Sequence, residues 1–231
     1  MSTAAPLTII GGRLVLPEGE PQPGAIRCAN GVVVALGDAA VARDGDTVVD
    51  AKGALIAPAL IDLGVFAIDR PAFHFGGIVR AALMPDETPP LDHPARVRFA
   101  AQSGKPDLWV HPLAATTRGL EGRELAELAL MREAGARAVA TGRRWVADSG
   151  VMLRLLRYAA MLNLVVVTHA EDAGLTGDAV ATAGEMATRL GLPAAPAEAE
   201  ALAVARDIAL ADLAGARLHI RQVTKIGRAH V

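Results

Sequence analysis

The stretch Leu164-Val165-Val166-Val167-Thr168-His169-Ala170-Glu171-Asp172 is a short β-branched run that ends in polar residues. Such a run is typical of a strand in a sheet whose two faces are both covered. It follows residues 148–162, where Asp148 precedes apolar residues at helical spacing. A helix that leads into a buried strand is the repeating unit of parallel α/β sheets.

The same unit recurs along residues 58–224. Apolar runs predict strands at 60–65, 78–84, 108–110, 136–140, 164–168 and 217–223, and apolar spacing predicts helices at 92–103, 122–134, 148–162 and 198–214. This alternation predicts a parallel α/β sheet, either an open doubly wound sheet or a (β/α)8 barrel. Neither G-x-G-x-x-G nor G-x-x-x-x-G-K-[ST] occurs, and polar residues follow several of the strands. Both observations favour the barrel.

Residues 1–57 have a different pattern, of short β-favouring runs separated by turn residues. The turn pairs are Gly11-Gly12, Asn30-Gly31, Gly37-Asp38 and Lys52-Gly53. Asn-Gly between two such runs predicts a β-hairpin. We therefore expect a small β-rich part over residues 1–57 and a larger α/β part over residues 58–224.

Composition excludes several classes of protein. The 231 residues include 23 basic and 25 acidic side chains and only 3% aromatic residues, which argues against binding to nucleic acid. The single cysteine, Cys28, excludes a disulfide framework. No apolar run is long enough to cross a membrane, and no signal peptide is recognisable, so we expect a cytoplasmic protein.

Polar residues near predicted strand ends are the candidates for chemistry. His169 directly follows a strand and can act as a metal ligand, or as a hydrogen-bonded structural residue, since a metal site needs about three protein ligands. His111 follows another predicted strand and is expected at the same end of the sheet. His219 lies within a strand and is predicted to be a core or supporting group. Asp62 falls in an apolar run, so its carboxylate needs a partner.

Several segments, taken in order, resemble the dihydroorotases of the amidohydrolase superfamily. The segments are Val48-Val49-Asp50-Ala51-Lys52-Gly53 with Leu60-Ile61-Asp62, Met84-Pro85-Asp86-Glu87-Thr88-Pro89-Pro90, Gly122-Arg123-Glu124-Leu125-Ala126-Glu127, His169-Ala170-Glu171-Asp172, and Ala205-Arg206-Asp207-Ile208 with Leu218-His219-Ile220. The resemblance implies a binuclear zinc (β/α)8 barrel that converts carbamoyl aspartate to dihydroorotate in pyrimidine synthesis. It also implies that residues 1–57 belong to a small β-sandwich built from both ends of the chain.

The positions that carry the family's chemistry depart from its pattern. Gly64 and Phe66 stand where the D-x-H-x-H motif has its two zinc-ligating histidines, and Gln222 stands where the sixth strand has another. Of the ligand positions compared, only His169 matches. The position of the substrate-gripping arginine is Ile68, the D-D-G motif falls at Thr141-Gly142-Arg143, and the substrate-binding asparagine falls at Asp86 or Glu87. A single ligand cannot hold zinc.

The resemblance therefore implies a non-catalytic member that assembles with aspartate carbamoyltransferase, binds no cofactor and is oligomeric in its full-length form. The alternative is an active dihydroorotase, or a related cyclic-amide hydrolase, with a rearranged zinc site in which His74 and His111 supply ligands. A third possibility is that the vacant end of the barrel binds an unrelated small molecule. The loop at Arg143-Arg144-Trp145 is predicted to be either a contact patch or a solvated loop.

Six predicted strands are fewer than the eight of a closed barrel. We therefore expect a barrel that is cut off after about six strands, together with a partial N-terminal β-sandwich. Residues 225–231 resemble a translated sequencing adapter and are expected to be a non-native tail.

Overall fold

The computed structural model describes residues 5–224 and divides the chain at residue 59 into two compact units. The tail predicted at residues 225–231 lies outside the described residues. None of the helices within residues 5–224 is both long enough and apolar enough to span a membrane.

The first unit, residues 5–59, is a single β-sheet. Its strands are β1 (Leu7–Leu14), β2 (Gln22–Ala29), β3 (Val32–Leu36), β4 (Thr47–Asp50) and β5 (Leu55–Ile56). The order is β3-β2-β1-β4, and β5 also pairs with β1. Asn30 and Gly31 both have positive φ and connect antiparallel β2 and β3, so the predicted hairpin is confirmed.

The predicted turn at Gly11-Gly12 is wrong, because β1 runs through both glycines. The register with β2 shifts between Ile9 and Gly12, so this glycine pair forms a bulge and not a chain reversal. Gly12 packs directly against the side chain of Ile56, where a Cβ atom would collide with it. The glycine pair thus allows the close approach of β5 to β1.

A buried ion pair connects the strands of this unit. Arg27 donates two hydrogen bonds to the Asp46 carboxylate, at 2.7 and 2.8 Å, and the Thr8 hydroxyl donates a third at 2.7 Å. These donors hold the pKa of Asp46 well below its usual range. The carboxylate therefore fixes the turn before β4 against β1 and β2.

The second unit, residues 60–224, contains a six-stranded parallel sheet in the order β13-β10-β9-β8-β7-β6. The strands are β6 (Leu60–Val65), β7 (Ile78–Leu83), β8 (Trp109–Ala115), β9 (Ala138–Ala140), β10 (Val165–His169), a separate pair β11 (Ala181–Thr182) and β12 (Ala194–Ala195), and β13 (Arg217–Arg221). The helices are α1 (Arg70–Phe75), α2 (Pro94–Gln102), α3 (Leu128–Glu133), α4 (Ser149–Met161), α5 (Ala173–Thr176), α6 (Glu185–Leu190) and α7 (Glu198–Ala214). All six predicted strands are confirmed.

Two of the predicted helices begin at different residues from those expected. Helix α2 is capped by His93, whose Nδ1 accepts the Ala95 N–H, and not by Asp92, which instead forms an ion pair with Arg96. Helix α3 begins at Leu128 and not at residue 122, because the preceding segment turns back to pair Leu125 with Thr117. The other two helices match their predictions closely, and Asp148 caps α4 by accepting the Val151 N–H.

The main core lies between the sheet and its helices. Its fully buried side chains include Val97, Leu108, Leu128, Met131, Val139, Met152, Leu155, Leu156 and Val166. A second cluster packs on the other face of the sheet, where Met84, Leu113, Ala140 and Val167 are buried together and Phe66 packs against them. This second face is the interior of a barrel in the (β/α)8 architecture.

Truncation of Leu155 is predicted to destabilise the second unit strongly. Leu155 is completely buried in α4, so Leu155→Ala leaves a cavity and lowers the free energy of unfolding by about 2–5 kcal/mol. Met161 on the same helix is 84% exposed, and Met161→Ala is expected to cost less than about 0.5 kcal/mol. Both tryptophans, Trp109 and Trp145, lie in this unit, so urea unfolding followed by their fluorescence reports it directly. Equal effects of the two substitutions would contradict this core.

Candidate functional site

Four polar side chains and one aromatic ring lie where the parallel strands of the second unit end. We call this set the carboxyl edge: Phe66 after β6, Asp86 after β7, Arg143 after β9, His169 at the end of β10 and Arg221 at the end of β13. Parallel pairing brings these strand ends together, and β10 and β13 set His169 opposite Arg221. In (β/α) barrels this edge carries the functional residues.

Buried polar atoms without a partner are concentrated at the same edge. Within residues 5–224 these atoms are Asp86 Oδ2, Thr116 Oγ1, His169 Nδ1 and Arg221 Nη1. Thr116 follows the last residue of β8, so all four lie at carboxyl ends of strands. Because buried polar atoms are normally hydrogen-bonded, their grouping marks the edge as a place where water or a ligand is accommodated.

Two guanidinium groups surround the predicted lost ligand positions Gly64 and Phe66. The Cζ atoms of Arg143 and Arg221 lie 4.0 and 4.9 Å from the centre of the Phe66 ring. A Cβ atom built on Gly64 would be 3.5 Å from Arg221 Nη2. Arg221 therefore fills the space beside Gly64 into which a larger side chain at that position would project.

Asp86 positions the loop that carries Arg143. Its Oδ1 accepts the Arg143 N–H at 2.9 Å, and Gly142 has a positive φ and lies so close that a Cβ would be 2.8 Å from the same oxygen. Asp86 Oδ2 is buried without a partner. The predicted substrate-binding residue thus holds the 141–143 loop through one oxygen and leaves the other unused. Glu87 is exposed.

Arg221 lies among charges of both signs. Burial lowers the pKa of its guanidinium most, the carboxylates of Asp86 and Asp62 raise it, and Arg143 lowers it. A guanidinium nevertheless remains protonated in proteins. Asp62, expected to need a partner, accepts the Gly64 N–H at 2.9 Å and is half-buried.

His169 is held in place by its neighbours. Its Nε2 lies 3.0 Å from Glu171 Oε2, and Glu171 also accepts a hydrogen bond from Thr176. The backbone N–H of His169 donates to the Thr141 hydroxyl at 3.2 Å, while the ring Nδ1 is buried without a partner. Gln222 lines the same cavity of about 320 Å³ as His169 and Glu171. The structure therefore brings Gln222 together with His169, and Gly64 and Phe66 together with Arg221.

The residues of this edge do not fit a zinc centre. Among residues 5–224, no three His, Cys, Asp or Glu side chains are placed so that they could share a metal ion. His169 Nε2 is already engaged by Glu171. Two guanidinium groups flank the positions that would supply the first two ligands, and their charge repels a divalent cation.

Three other histidines do not belong to the carboxyl edge, namely His111, His74 and His219. His111 is not at the carboxyl edge, because β8 continues four residues beyond it to Ala115, and it contacts Arg80 at 3.3 Å. Burial and the neighbouring Arg80 lower the pKa of His111. His74 is exposed in α1, close to Gly77, which pairs with the first residue of β6 at the opposite edge. His219 is exposed on β13 and does not belong to the core.

A buried carboxylate that sequence reasoning missed anchors the loop after β9. Asp207 in α7 is fully buried and accepts hydrogen bonds from the Trp145 indole, at 3.2 Å, from Thr168, at 3.0 Å, and from Arg206. Burial raises the pKa of Asp207, while these partners lower it. The Arg206 guanidinium also stacks on Trp145, with its Cζ 3.7 Å from the ring centre. Trp145 is thus engaged within the chain, while Arg143 and Arg144 are exposed.

The sequence does contain signals for Asp207 and Arg221, although no motif assigned them a role. Ala199, Ala203, Asp207 and Ala211 are buried at four-residue spacing, so Asp207 falls on the buried stripe of its helix. Arg221 lies on the same face of β13 as His219, because side chains alternate along a strand. Nothing in the local sequence, however, indicates that Arg143 and Arg221 meet on one ring.

Comparisons with known proteins support the motif-based resemblance. A family model described as Dihydro-orotase-like matches residues 54–226. A dihydroorotase from Pelotomaculum thermopropionicum is 38% identical over 236 residues, covering 96% of this chain and 55% of the relative. A dihydroorotase-like protein from Pseudomonas putida is 33% identical over 239 residues, covering 94% of this chain and 55% of the relative.

Solved structures show the same fold. An L-hydantoinase (dihydropyrimidinase) from Arthrobacter aurescens superposes with a TM-score of 0.72 at 20% identity, covering 96% of this chain and 53% of that one. With the parallel βα order, this likeness confirms the predicted (β/α) barrel fold. The chain spans about half the length of the curated relatives it matches.

Removal of the Asp207 carboxylate is predicted to loosen the loop after β9. Asp207→Ala leaves the half-buried Trp145 indole and the buried Thr168 hydroxyl without their acceptor, at a cost of about 2–3 kcal/mol in the free energy of unfolding. Urea unfolding measures the loss, and acrylamide quenching of tryptophan fluorescence is expected to increase. The exposed Asp212 on the same helix provides the control, since Asp212→Ala should cost less than about 0.5 kcal/mol. An Asp207→Ala variant as stable as this control would contradict the anchoring role.

Proposed function

The chain belongs to the dihydroorotase-like family, and from this premise we propose that it is a non-catalytic member that supports aspartate carbamoyltransferase in cytoplasmic pyrimidine biosynthesis. The observation that carries the proposal is the pair of guanidinium groups at Gly64 and Phe66. Cyclic-amide hydrolysis near neutral pH by a metal-dependent enzyme needs a hydroxide generated on the metal. The side chains at this edge neither supply a ligand set for that metal nor leave its surroundings free of positive charge.

The scaffold around the altered edge supports a retained structural role. Large core side chains such as Leu128, Met152 and Leu155 are fully buried, and α4 keeps its capping residue Asp148. The departures are concentrated at positions of chemistry and not in the core. A protein that serves only in assembly needs the scaffold and does not need turnover.

The choice of partner rests on the family resemblance. Some members of this family are non-catalytic chains that assemble with aspartate carbamoyltransferase, the enzyme that makes the carbamoyl aspartate consumed by dihydroorotases. The exposed side chains of Arg143 and Arg144 are available for a protein contact, whereas Trp145 is already occupied by Arg206 and Asp207.

Association with the transcarbamoylase tests the partner. We expect the chain, co-expressed with aspartate carbamoyltransferase from the same source, to elute with it from a size-exclusion column at about 1 µM, a concentration at which a complex with a Kd well below 1 µM stays largely associated. Each protein run alone provides the control elution. Separate elution of the two proteins would contradict the supporting role.

Metal content and turnover test the absence of catalysis. We expect the purified chain, incubated with zinc and then dialysed, to retain less than about 0.2 zinc per chain, because a catalytic zinc site needs three protein ligands and a structural one four. Hydrolysis of dihydroorotate should not exceed the rate without protein. One or more tightly bound zinc ions together with turnover would instead establish an active cyclic-amide hydrolase with a rearranged site.

A further inference from the structure

We propose that a cavity on the helix face of the second unit binds a small, uncharged and mainly apolar molecule, such as a compound of one or two rings. The cavity has a volume of about 570 Å³ and lies between the loop after β6, the loop after β7 and helix α2. The juxtaposition that carries the proposal is the exposed Phe99 ring beside a cavity whose walls include core side chains. This site is a property of the chain itself and goes beyond the supporting role proposed above.

The cavity lies on the face of the sheet that is turned away from the barrel interior. Three of its lining side chains, Leu83, Leu91 and Ala100, belong to the main core between the sheet and its helices. Met84, which directly follows Leu83, packs in the cluster on the opposite face, as the alternation of side chains along a strand predicts. The sheet therefore separates a ligand among these three side chains from the face that forms the barrel interior.

The walls of the cavity are mainly apolar and offer the contacts that a small ring system needs. Leu83, Leu91 and Ala100 are buried, Ile68 packs against the same core, and Phe99 adds an aromatic face. The Phe99 side chain is 79% exposed, so its contact with a ligand removes a large apolar surface from water. Cavities of about 300–1,000 Å³ with walls of this kind are typical of small-molecule sites in proteins.

The charges beside the cavity disfavour an ionic ligand. Arg96 is the cation among the described lining residues, and its guanidinium already donates to Asp92, at 2.6 Å, and to the Pro90 carbonyl. Glu87 is exposed, and no hydrogen bond or ion pair within residues 5–224 engages its carboxylate. This charge repels an anion, and apolar walls make the entry of any ion costly. Carbamoyl aspartate and dihydroorotate, the anions that the family resemblance implies as substrates, are therefore disfavoured, and the ligand belongs to a different chemical class.

Fluorescence titration of the 231-residue chain tests the site with two probes that share one ring system. The uncharged probe is N-phenylnaphthylamine, and the anionic probe is anilinonaphthalenesulfonate, which adds a sulfonate to the same rings. We expect the uncharged probe to bind saturably with an increase in emission, and the anionic probe to bind about five-fold more weakly. In Glu87→Gln the difference between the two affinities should disappear, because the repelling charge is gone.

Two exposed phenylalanines provide a matched pair of variants. Phe99 lines the cavity, whereas Phe75, at the end of α1, is 98% exposed and does not line it. Phe99→Ala should weaken binding of the uncharged probe about ten-fold through loss of an aromatic contact, and Phe75→Ala should leave it unchanged. Ala95→Phe, at an exposed lining position, should also weaken binding because the added ring occupies the cavity. All three positions are exposed, so each variant is expected to melt at the temperature of the unaltered chain.

The proposal is overturned if the uncharged probe does not bind saturably, if Phe99→Ala binds it as tightly as Phe75→Ala, or if Glu87→Gln leaves the preference between the probes unchanged. Sedimentation of the chain at the same concentrations tests the other occupant of an apolar cavity, a second copy of the chain. A dimer that Phe99→Ala dissociates would also overturn the proposal. None of these outcomes depends on co-elution with the transcarbamoylase, so failure of this site and failure of the proposed partner are distinguishable.

Discussion

Parallel pairing between consecutive strands of the second unit is the constraint on which the functional surface depends. Each of the six strands joins the sheet beside its predecessor, so every strand ends at the same edge. The register between β10 and β13 sets His169 opposite Arg221, and the loop after β9 extends Arg143 toward the same place. Residues separated by up to 155 positions in sequence, such as Phe66 and Arg221, meet only because of this pairing.

Within this geometry, Gly64 and Arg221 are complementary. The glycine leaves room that the guanidinium occupies, and Phe66 offers an aromatic face on which the cation rests. A related arrangement places Arg143, since Gly142 permits the approach of the Asp86 carboxylate that fixes the loop. The edge at which the family resemblance implies zinc ligands thus carries two arginine side chains against the Phe66 ring.

The sequence predicted those elements whose local signals agree with their environment. Helix α4 combines apolar residues at helical spacing with an Asp148 cap, and Asn30-Gly31 satisfies the two positive φ angles of its hairpin. The extent of β8 was not predictable in this way, because Pro112 lacks an N–H and argues against a central strand. The Gly11-Gly12 pair predicts a turn but forms a bulge, because glycine serves both conformations.

The candidate site was only partly predictable for a different reason. Matching of motifs located His169, Gly64, Phe66, Asp86 and Gln222, and the structure places all of them at or beside the carboxyl edge. Motif matching could not locate the two arginines that stand beside the lost ligand positions. Their contact with one ring depends on three strand ends and a loop. The same limit applies to Asp207, whose role depends on Trp145, a partner 62 residues away.

The most direct measurement is a crystal structure of the chain grown with zinc, with diffraction data collected at the zinc absorption edge. The Arg221 guanidinium is expected over Gly64 and against Phe66, with no anomalous peak within coordination distance of His169. A zinc peak bonded to His169, with Arg221 displaced from Phe66, would contradict the metal-free carboxyl edge.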